Sequence, residues 1–245
     1  MSIKPKDLLS NKKDLDKKIS IEEISLDNIS IDDLTYNGDN YKKFINLNSF
    51  LDNVSACQIS DAFNEIAQRS GVLYNLKPIN NLKAWGKIFT SKTNSDDWGT
   101  ITISIDEADE GDVLLVETRD MDAAIWGELA STSAKNKGIK ATLVYGCVRD
   151  LDALLTMDYP IFACGFRPNA GNALGLGEIN VDLELESMKI SPGDFLFGDE
   201  TGVVIIPQEF FKRVMLKTYE IKIKEKNIAR MLNSGKSLAQ IVGLR

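Results

Sequence analysis

The hydrophobic residues of this 245-residue chain come in short runs, and none approaches the roughly 20 consecutive apolar residues that a membrane-spanning helix needs. Runs such as VLLVE (113–117) and ATLVY (141–145) have strand length and are preceded by turn residues, Gly111-Asp112 and Gly138. Segments this short cannot be buried alone and have to pack as layers around a shared core. A hydrophobic content of 43% over this length suffices for one substantial core with extensions. The first twenty residues, MSIKPKDLLSNKKDLDKKIS, carry lysines without an apolar segment, so they do not read as a secretory signal. The expectation is a soluble, cytoplasmic protein.

The pattern divides the chain into three parts: a polar extension over 1–45, a body over 46–207 and a helical tail over 208–245. The extension is rich in Lys, Asp, Asn, Ser and Ile without a clear period, and its ISIEEISLDNISIDDL repeats Ile-Ser followed by acid. In the body, SACQISDAFNEIAQRSG (55–71) reads as a helix ended by Gly71. LKAWGKIFT (82–90), TITISI (100–105), VLLVE and ATLVY read as strands, and MDAAIWGELASTSAKNKG (121–138) as one helix closed by Gly138. A short helix LDALLTM, a strand YPIFACG and a glycine-rich loop NAGNALGLGEIN (169–180), taken as mobile, come next. ISPGDFLFGDETGVVIIP (190–207) holds two turns flanking strands; the tail is helical to about Asn233, and SLAQ (237–240) has capping-box spacing. No regular βαβ alternation is evident, so the expected class is α+β, a layered ββα domain and not a Rossmann fold.

Composition narrows the chemistry. The chain has no histidine, which excludes Ser-His-Asp and Cys-His catalysis and imidazole metal ligation. A bound metal would be held by carboxylates, carbonyls and water, the ligands of magnesium, calcium or manganese. The three cysteines, Cys57, Cys147 and Cys164, are widely spaced in apolar contexts and read as small buried hydrophobes, with Cys147, two residues before Arg149, as a minor nucleophile candidate. Net charge is −7, and the body is acidic while the tail carries nine basic against three acidic residues. An acidic body argues against general nucleic-acid binding, and the basic tail reads as a solvated helix face.

One stretch carries more. In YGCVRDLDALL (145–155), Arg149 and Asp150 stand between the apolar run and the short helix. On residue type alone such a pair is an ordinary solvated ion pair at a strand end; the alternative is an anion clamp beside a metal ligand. The wider stretch WGELASTSAKNKGIKATLVYGCVRDLDALLTMDYPIFACGFRP resembles the RraA-like family, which includes 4-hydroxy-4-methyl-2-oxoglutarate and 4-carboxy-4-hydroxy-2-oxoadipate aldolases and the regulator of ribonuclease E activity. ISDAF, IDEADEGDVLLVE, GEINVDLELESMKISPGDFLFGDETGVVIIP and EKNIARMLNSGKSLAQIVGL extend the resemblance over roughly 50–243.

The resemblance implies a swivelling ββα sandwich, assembled as a homotrimer or hexamer with sites between subunits. It also implies the aldolase pattern of an acid, twenty residues, then Arg-Asp, which Glu128, Arg149 and Asp150 match. Carried onto these positions, the family's roles make Asp150 the ligand of Mg2+ (or Mn2+) and Arg149 the fork that holds a 2-keto acid. Gly127, Glu128, Leu129 and Ala130 would bind the substrate's anionic end at a helix start, with Glu128 relaying a proton through water. The implied function is a metal-dependent lyase that cleaves a 4-hydroxy-2-oxo acid to pyruvate, decarboxylates oxaloacetate, or both, through one enolate. The alternative is a non-catalytic regulator of ribonuclease activity acting by protein–protein binding. Tyr145-Gly146, where many aldolase members have Asp-Gly, is similar to the regulator, whereas Asp150 is not.

Other positions read as structural. Asp152 and Asp158 read as capping and turn residues, Asp61 as an early helix residue, and Trp98 and Trp126 as packing. Asp199-Glu200 reads as a turn, with a second possibility that one of these acids serves a neighbouring subunit's site. No membrane partner is expected.

Overall fold

The computed structural model describes residues 47–244; the extension assigned to 1–45, with its Ile-Ser repeats, lies outside the described residues. In chain order the first elements are α1 (Leu47–Asp52), α2 (Ala56–Ala67), β1 (Val72–Leu73), β2 (Lys77–Pro78), β3 (Ala84–Thr93) and α3 (Gly99–Glu107). The middle comprises β4 (Val113–Thr118), β5 (Ala124–Trp126), α4 (Glu128–Lys137), β6 (Ala141–Val148), α5 (Leu151–Thr156) and β7 (Ile161–Phe166). After these come β8 (Glu178–Ile179), β9 (Leu183–Leu185), β10 (Met188–Ile190), β11 (Phe195–Asp199), β12 (Gly202–Ile206), α6 (Phe211–Asn233) and α7 (Leu238–Ile241). The described residues form two compact units. The first, Asn48–Thr218, holds the sheets and every candidate residue; the second holds, among the described residues, Leu47 and the chain from Tyr219 on, with α7. In it, the expected capping box is present: the Gln240 amide donates to Ser237 Oγ at 3.2 Å, and Gln240 Oε1 accepts from the Ser237 amide at 2.9 Å.

The class is mixed α/β and layered, as expected, but its centre is more regular than the sequence suggests. β3, β4, β6 and β7 are adjacent and parallel, with Ile88 opposite Val113, Val113 opposite Ala141 and Thr142 opposite Ile161. α3, α4 and α5 make the crossovers, so three successive βαβ connections replace the absent alternation read from the sequence. The long strand β3 joins two layers: its first half pairs antiparallel with β11 and its second half parallel with β4.

Both faces of the parallel strands are buried. Leu114, Val116, Val144, Val148, Ile161 and Ala163 face a core shared with Ile101, Ile105, Ala134 and Leu154 of the helices. The alternate residues Val113, Leu115, Ala141, Leu143 and Phe162 pack against Leu183, Ile190, Leu196, Val203 and Ile205 of the second layer. This is the ββα sandwich, and it explains why VLLVE and ATLVY are continuously apolar instead of alternating.

Two local expectations are corrected. TITISI is helix α3, not a strand. Its β-branched residues favour strands, but Ile101 and Ile105, four apart, are both buried while Ile103 between them is 45% exposed. Burying the two isoleucines contributes about 3–6 kcal/mol, more than the propensity deficit of a short helix. MDAAIWGELASTSAKNKG is not one helix either. Ala124–Trp126 pairs with β6, Gly127 is extended, and α4 starts only at Glu128. Gly138 closes α4 in the left-handed region at φ 88°, as expected.

The glycine-rich loop is also held more firmly than the sequence reading assumed. The carboxylate of Asp97, buried just ahead of α3, accepts from the amides of Leu174, Gly175 and Leu176 at 3.0, 2.8 and 2.8 Å. It also accepts from the Gly99 amide at 2.9 Å and from the hydroxyls of Thr100 and Thr93 at 2.7 and 3.1 Å. Burial opposes its ionisation, but the donors of Gly175, Thr100, Leu176 and Thr93 outweigh that and hold its carboxyl well below the usual carboxylate range.

Because its folded-state pKa is depressed, the stabilisation from Asp97 is complete above the ordinary value of about 4 and fades as pH falls below it. Asp97→Asn turns an amide toward amide donors. We expect it to lose about 3 kcal/mol in urea unfolding at pH 7, with the gap to the parent narrowing below about pH 4.

Candidate active site

Parallel strands connected by helices on one face bring strand C-termini and helix N-termini to the same edge, where α/β proteins commonly place ligand sites. β6 ends at Val148, and the Arg149 amide donates to the Trp126 carbonyl at 2.9 Å, tying the end of β6 to the end of β5. Asp150 then turns the chain into α5 in the left-handed region, at φ 57° and ψ 43°. That conformation costs a non-glycine residue about 1 kcal/mol, less for Asp than for most. It aims the carboxylate away from α5 and at the start of α4, where Oδ2 accepts from the Glu128 amide at 3.1 Å. The Arg149 guanidinium lies 3.6 Å from the same oxygen.

Gly127 permits this approach. A Cβ there would lie 2.4 Å from Asp150 Oδ2 and 3.1 Å from Arg149 Cγ. Arg149 and Asp150 are partly exposed, so their ion pair contributes little to stability. Its importance is arrangement: one carboxylate, one guanidinium and the first turn of α4, whose leading N–H groups have no acceptor within the helix, meet at one place. Leu129 and Ala130 follow Glu128 on that turn. Glu128 meets the pair through its backbone N–H, while its side chain is on the exposed face of α4.

Arg149, Asp150 and Gly127 border a cavity of about 230 Å³ that runs between α3 and α4. Its walls include Trp98, Ile101, Ile105, Ile125 and Ala130. The sequence reading missed this wall because it took α3 for a strand. The available signal was the helical spacing of Ile101 and Ile105 after Asp97, whose carboxylate accepts from the α3 amides of Gly99 and Thr100 as a cap would. Trp126 is buried as expected, its indole donating to Ser131 Oγ at 2.7 Å. Trp98 is half-exposed, borders the cavity and donates its indole N–H to the Gly171 carbonyl at 3.1 Å.

The remaining candidates lie elsewhere. Tyr145 turns to the opposite face of the sheet; its hydroxyl accepts from Asn75 Nδ2 at 3.0 Å and donates to Glu186 at 3.4 Å. Cys147 is buried, in keeping with a small hydrophobe, and burial pushes its thiol up against the pull of Arg167. Burial raises Cys164 to about 11. Cys57, expected inside, is exposed on α2. Asp199 is committed to structure: its carboxylate accepts from the amides of Ala56, opening α2, and Thr201, at 2.7 and 2.9 Å, and Glu200 is exposed in the turn. Asp61 and Asp152 are exposed on helices, and Asp158 reaches Lys135 at 3.8 Å. Among the described residues no three Cys, Asp or Glu side chains gather as a metal-ligating group.

The model of a family described as RraA-like: Aldolase/RraA matches residues 56–205. An uncharacterized protein of Methanocaldococcus jannaschii is 36% identical over 176 residues, 70% of this chain and 85% of its own length. A protein of Halalkalibacterium halodurans named "Putative 4-hydroxy-4-methyl-2-oxoglutarate aldolase" is 32% identical over 161 residues, 65% of this chain and 75% of its own. Among solved structures, an uncharacterized protein from Pseudomonas syringae pv. tomato superposes with a TM-score of 0.70 at 25% identity, covering 79% of this chain and 92% of the other. The RNA-processing inhibitor RraA from Thermus thermophilis shares the fold, with a TM-score of 0.55 at 23% identity, covering 60% and 92%.

The Gly127–Asp150 approach is testable by stability alone. Gly127→Ala is expected to cost about 1–3 kcal/mol through overpacking. In the double variant with Asp150→Gly most of that cost should vanish, giving a coupling of at least about 1 kcal/mol in denaturant unfolding.

Proposed function

Since the chain belongs to the RraA-like family, we propose that it is a divalent-metal-dependent carbon–carbon lyase. It cleaves a 4-hydroxy-2-oxo acid to pyruvate, decarboxylates oxaloacetate, or does both. The observation that carries this reading is the meeting of Asp150, Arg149 and the α4 N-terminus at one end of a cavity. Relatives named as aldolases support it.

The residues suit a hydrated magnesium or manganese ion. Asp150 is a hard oxygen donor, and its contacts with the Glu128 amide and the Arg149 guanidinium both fall on Oδ2, so Oδ1 is the oxygen that would meet an ion. Such ions keep much of their water shell and need few protein ligands. When bound, the metal supplies Lewis-acid stabilisation of the enolate charge that either reaction develops.

The chain's own residues do the rest. Arg149 offers a planar fork to the substrate carboxylate, fixing the 2-keto acid against the start of α4. The N–H groups of Leu129 and Ala130 add donors toward the same anion. In the retro-aldol direction the C3–C4 bond breaks, its electron pair passes to the pyruvate enolate, and the C4 hydroxyl gives up its proton as the carbonyl product forms. Glu128, exposed on the first turn of α4, takes that proton through a water. Decarboxylation releases CO2 and leaves the same enolate; in both cases C3 of the enolate then takes a proton from water beside Glu128 to give pyruvate, so one site serves both.

The reading includes assembly as a homotrimer or hexamer, which the resemblance to the family implies. It also includes a cytoplasmic location; among the described residues no helix is long and apolar enough to cross a membrane.

The test is pyruvate release from oxaloacetate with magnesium, against a chelator control and a metal-only blank. We expect chelator-sensitive turnover that falls at least a hundredfold in Asp150→Asn and about a hundredfold in Arg149→Lys. Turnover no greater than the metal-only blank, with recovery of a ribonuclease in pull-downs, would favour the regulator alternative instead.

A further inference from the structure

The chain from Tyr219 on ends in capped structure whose apolar side chains stand in water. Gly235 stops α6 in the left-handed region at φ 91°, and the Lys236 amide donates back to the Met231 carbonyl at 3.2 Å. Beyond the Ser237–Gln240 capping box, the Leu244 amide donates to the Ala239 carbonyl at 2.8 Å. On this frame Leu232, Leu238, Val242 and Leu244 are 40%, 56%, 43% and 42% exposed. A helix as short as α7 has almost no stability of its own, and chain ends stay loose unless something ties them down. Four exposed apolar side chains over 232–244 therefore mark a face that a partner covers. The face is also basic: Lys224, Lys226, Arg230 and Lys236 are exposed along it, and from Lys222 to Lys236 there are five cations against one acid, Glu225.

The complement is in the same chain. Residues 19–38 repeat one five-residue unit four times, ISIEE, ISLDN, ISIDD and LTYNG. Its first and third positions are apolar, its second is a hydroxyl residue, and its last two are acidic, Asn or Gly. Between 19 and 40 there are six acids and no lysine or arginine. A period of five fits neither the 3.6 of an amphipathic helix nor the 2 of a half-buried strand, and short repeats bury their apolar positions only against a neighbour. The extension joins the described chain at Leu47, which falls in the same compact unit as the tail. The ten residues between Tyr36 and Leu47 span up to about 35 Å, against about 22 Å for α6 from Tyr219 to its end. An anionic lipid surface would meet the same lysines, but it would repel those six acids and a chain of net charge −7. A tethered acidic segment meets no such opposition, and its effective concentration is high.

We propose that the tail is the docking face for the chain's own extension: apolar residues of 19–36 cover Leu232, Leu238, Val242 and Leu244, and the acids between them meet the cations of α6. No residue of the Arg149–Asp150 site takes part, so the proposal stands apart from the lyase reading.

Hydrogen exchange of the full chain, followed by mass spectrometry, tests it. Amide protection over 232–244 is expected to fall at least tenfold in the double variant Ile29→Asp with Ile31→Asp, while exchange in β4 and β6 stays as in the parent. A charge swap tests the pairing without assuming a register. Reversing the tail (Lys224→Glu, Lys226→Glu, Arg230→Glu and Lys236→Glu) or the extension (Glu22→Lys, Glu23→Lys, Asp32→Lys and Asp33→Lys) should each speed exchange over 232–244 by roughly threefold or more. Combining the two sets should restore most of the protection. Unchanged protection in the double variant would overturn the proposal, as would a combined variant no better protected than the single reversals. Protection that grows with protein concentration and ignores every extension variant assigns the face to a second copy and overturns it too. Protection gained only on adding phosphatidylglycerol vesicles assigns the face to a membrane surface, with the same consequence.

Discussion

Burial of both faces of β4 and β6 is the constraint from which the rest of the first unit follows. Leu114 and Val116 need a helical layer on one side, and Val113 and Leu115 need a second β layer on the other. Parallel strands can be linked only by crossovers, so α3, α4 and α5 supply the helical layer as the chain steps from β3 to β7. β3 supplies the other connection by pairing with both layers. The consequence is a single edge at which strands end and helices begin. Asp97, Gly127 and Asp150 all lie on it, at the starts of α3, α4 and α5.

Two acids on that edge show how environment separates structural from chemical roles. Asp97 is buried, and every oxygen it offers is occupied by donors from its own helix and the loop after β7. It is a fastener, and its depressed pKa is a measure of how well it is held. Asp150 is partly exposed, sits in a backbone conformation that disfavours most side chains, and touches one amide and one guanidinium. A residue kept in a mildly strained state with donor capacity directed at a cavity fits a site better than a scaffold. One fold hosts many activities, so the functional reading has to rest on this arrangement and not on the sandwich itself.

The sequence exposes the features that depend on neighbours along the chain. The Arg-Asp pair at a strand end, Gly138 as a helix stop, the Asp199 turn and the Ser237–Gln240 capping box are all short-range, and the structure places each where the residues suggest. It hides the features that depend on distant partners. TITISI looks like a strand because threonine and isoleucine are β-branched; only the cores against which Ile101 and Ile105 pack make it a helix. Trp126 looks helical because Gly127 looks like a tolerated interior glycine, until the approach of Asp150, 23 positions later, explains why no side chain fits. Asp97 gives little local sign of its role, since the loop amides it binds lie 77 to 79 residues away. The cavity was invisible for the same reason: one of its walls is the misread helix.

On the proposed function, Asp150, freed by Gly127 to lean on α4, holds a metal and is not merely half of a surface ion pair. Titration of the protein with Mn2+, followed by electron paramagnetic resonance, addresses that directly and independently of any substrate. We expect one Mn2+ site per chain, displaced by excess Mg2+ and absent in Asp150→Asn, with the variant's fold intact by circular dichroism. Mn2+ binding that is undiminished in Asp150→Asn, or no site in the parent protein, would contradict it.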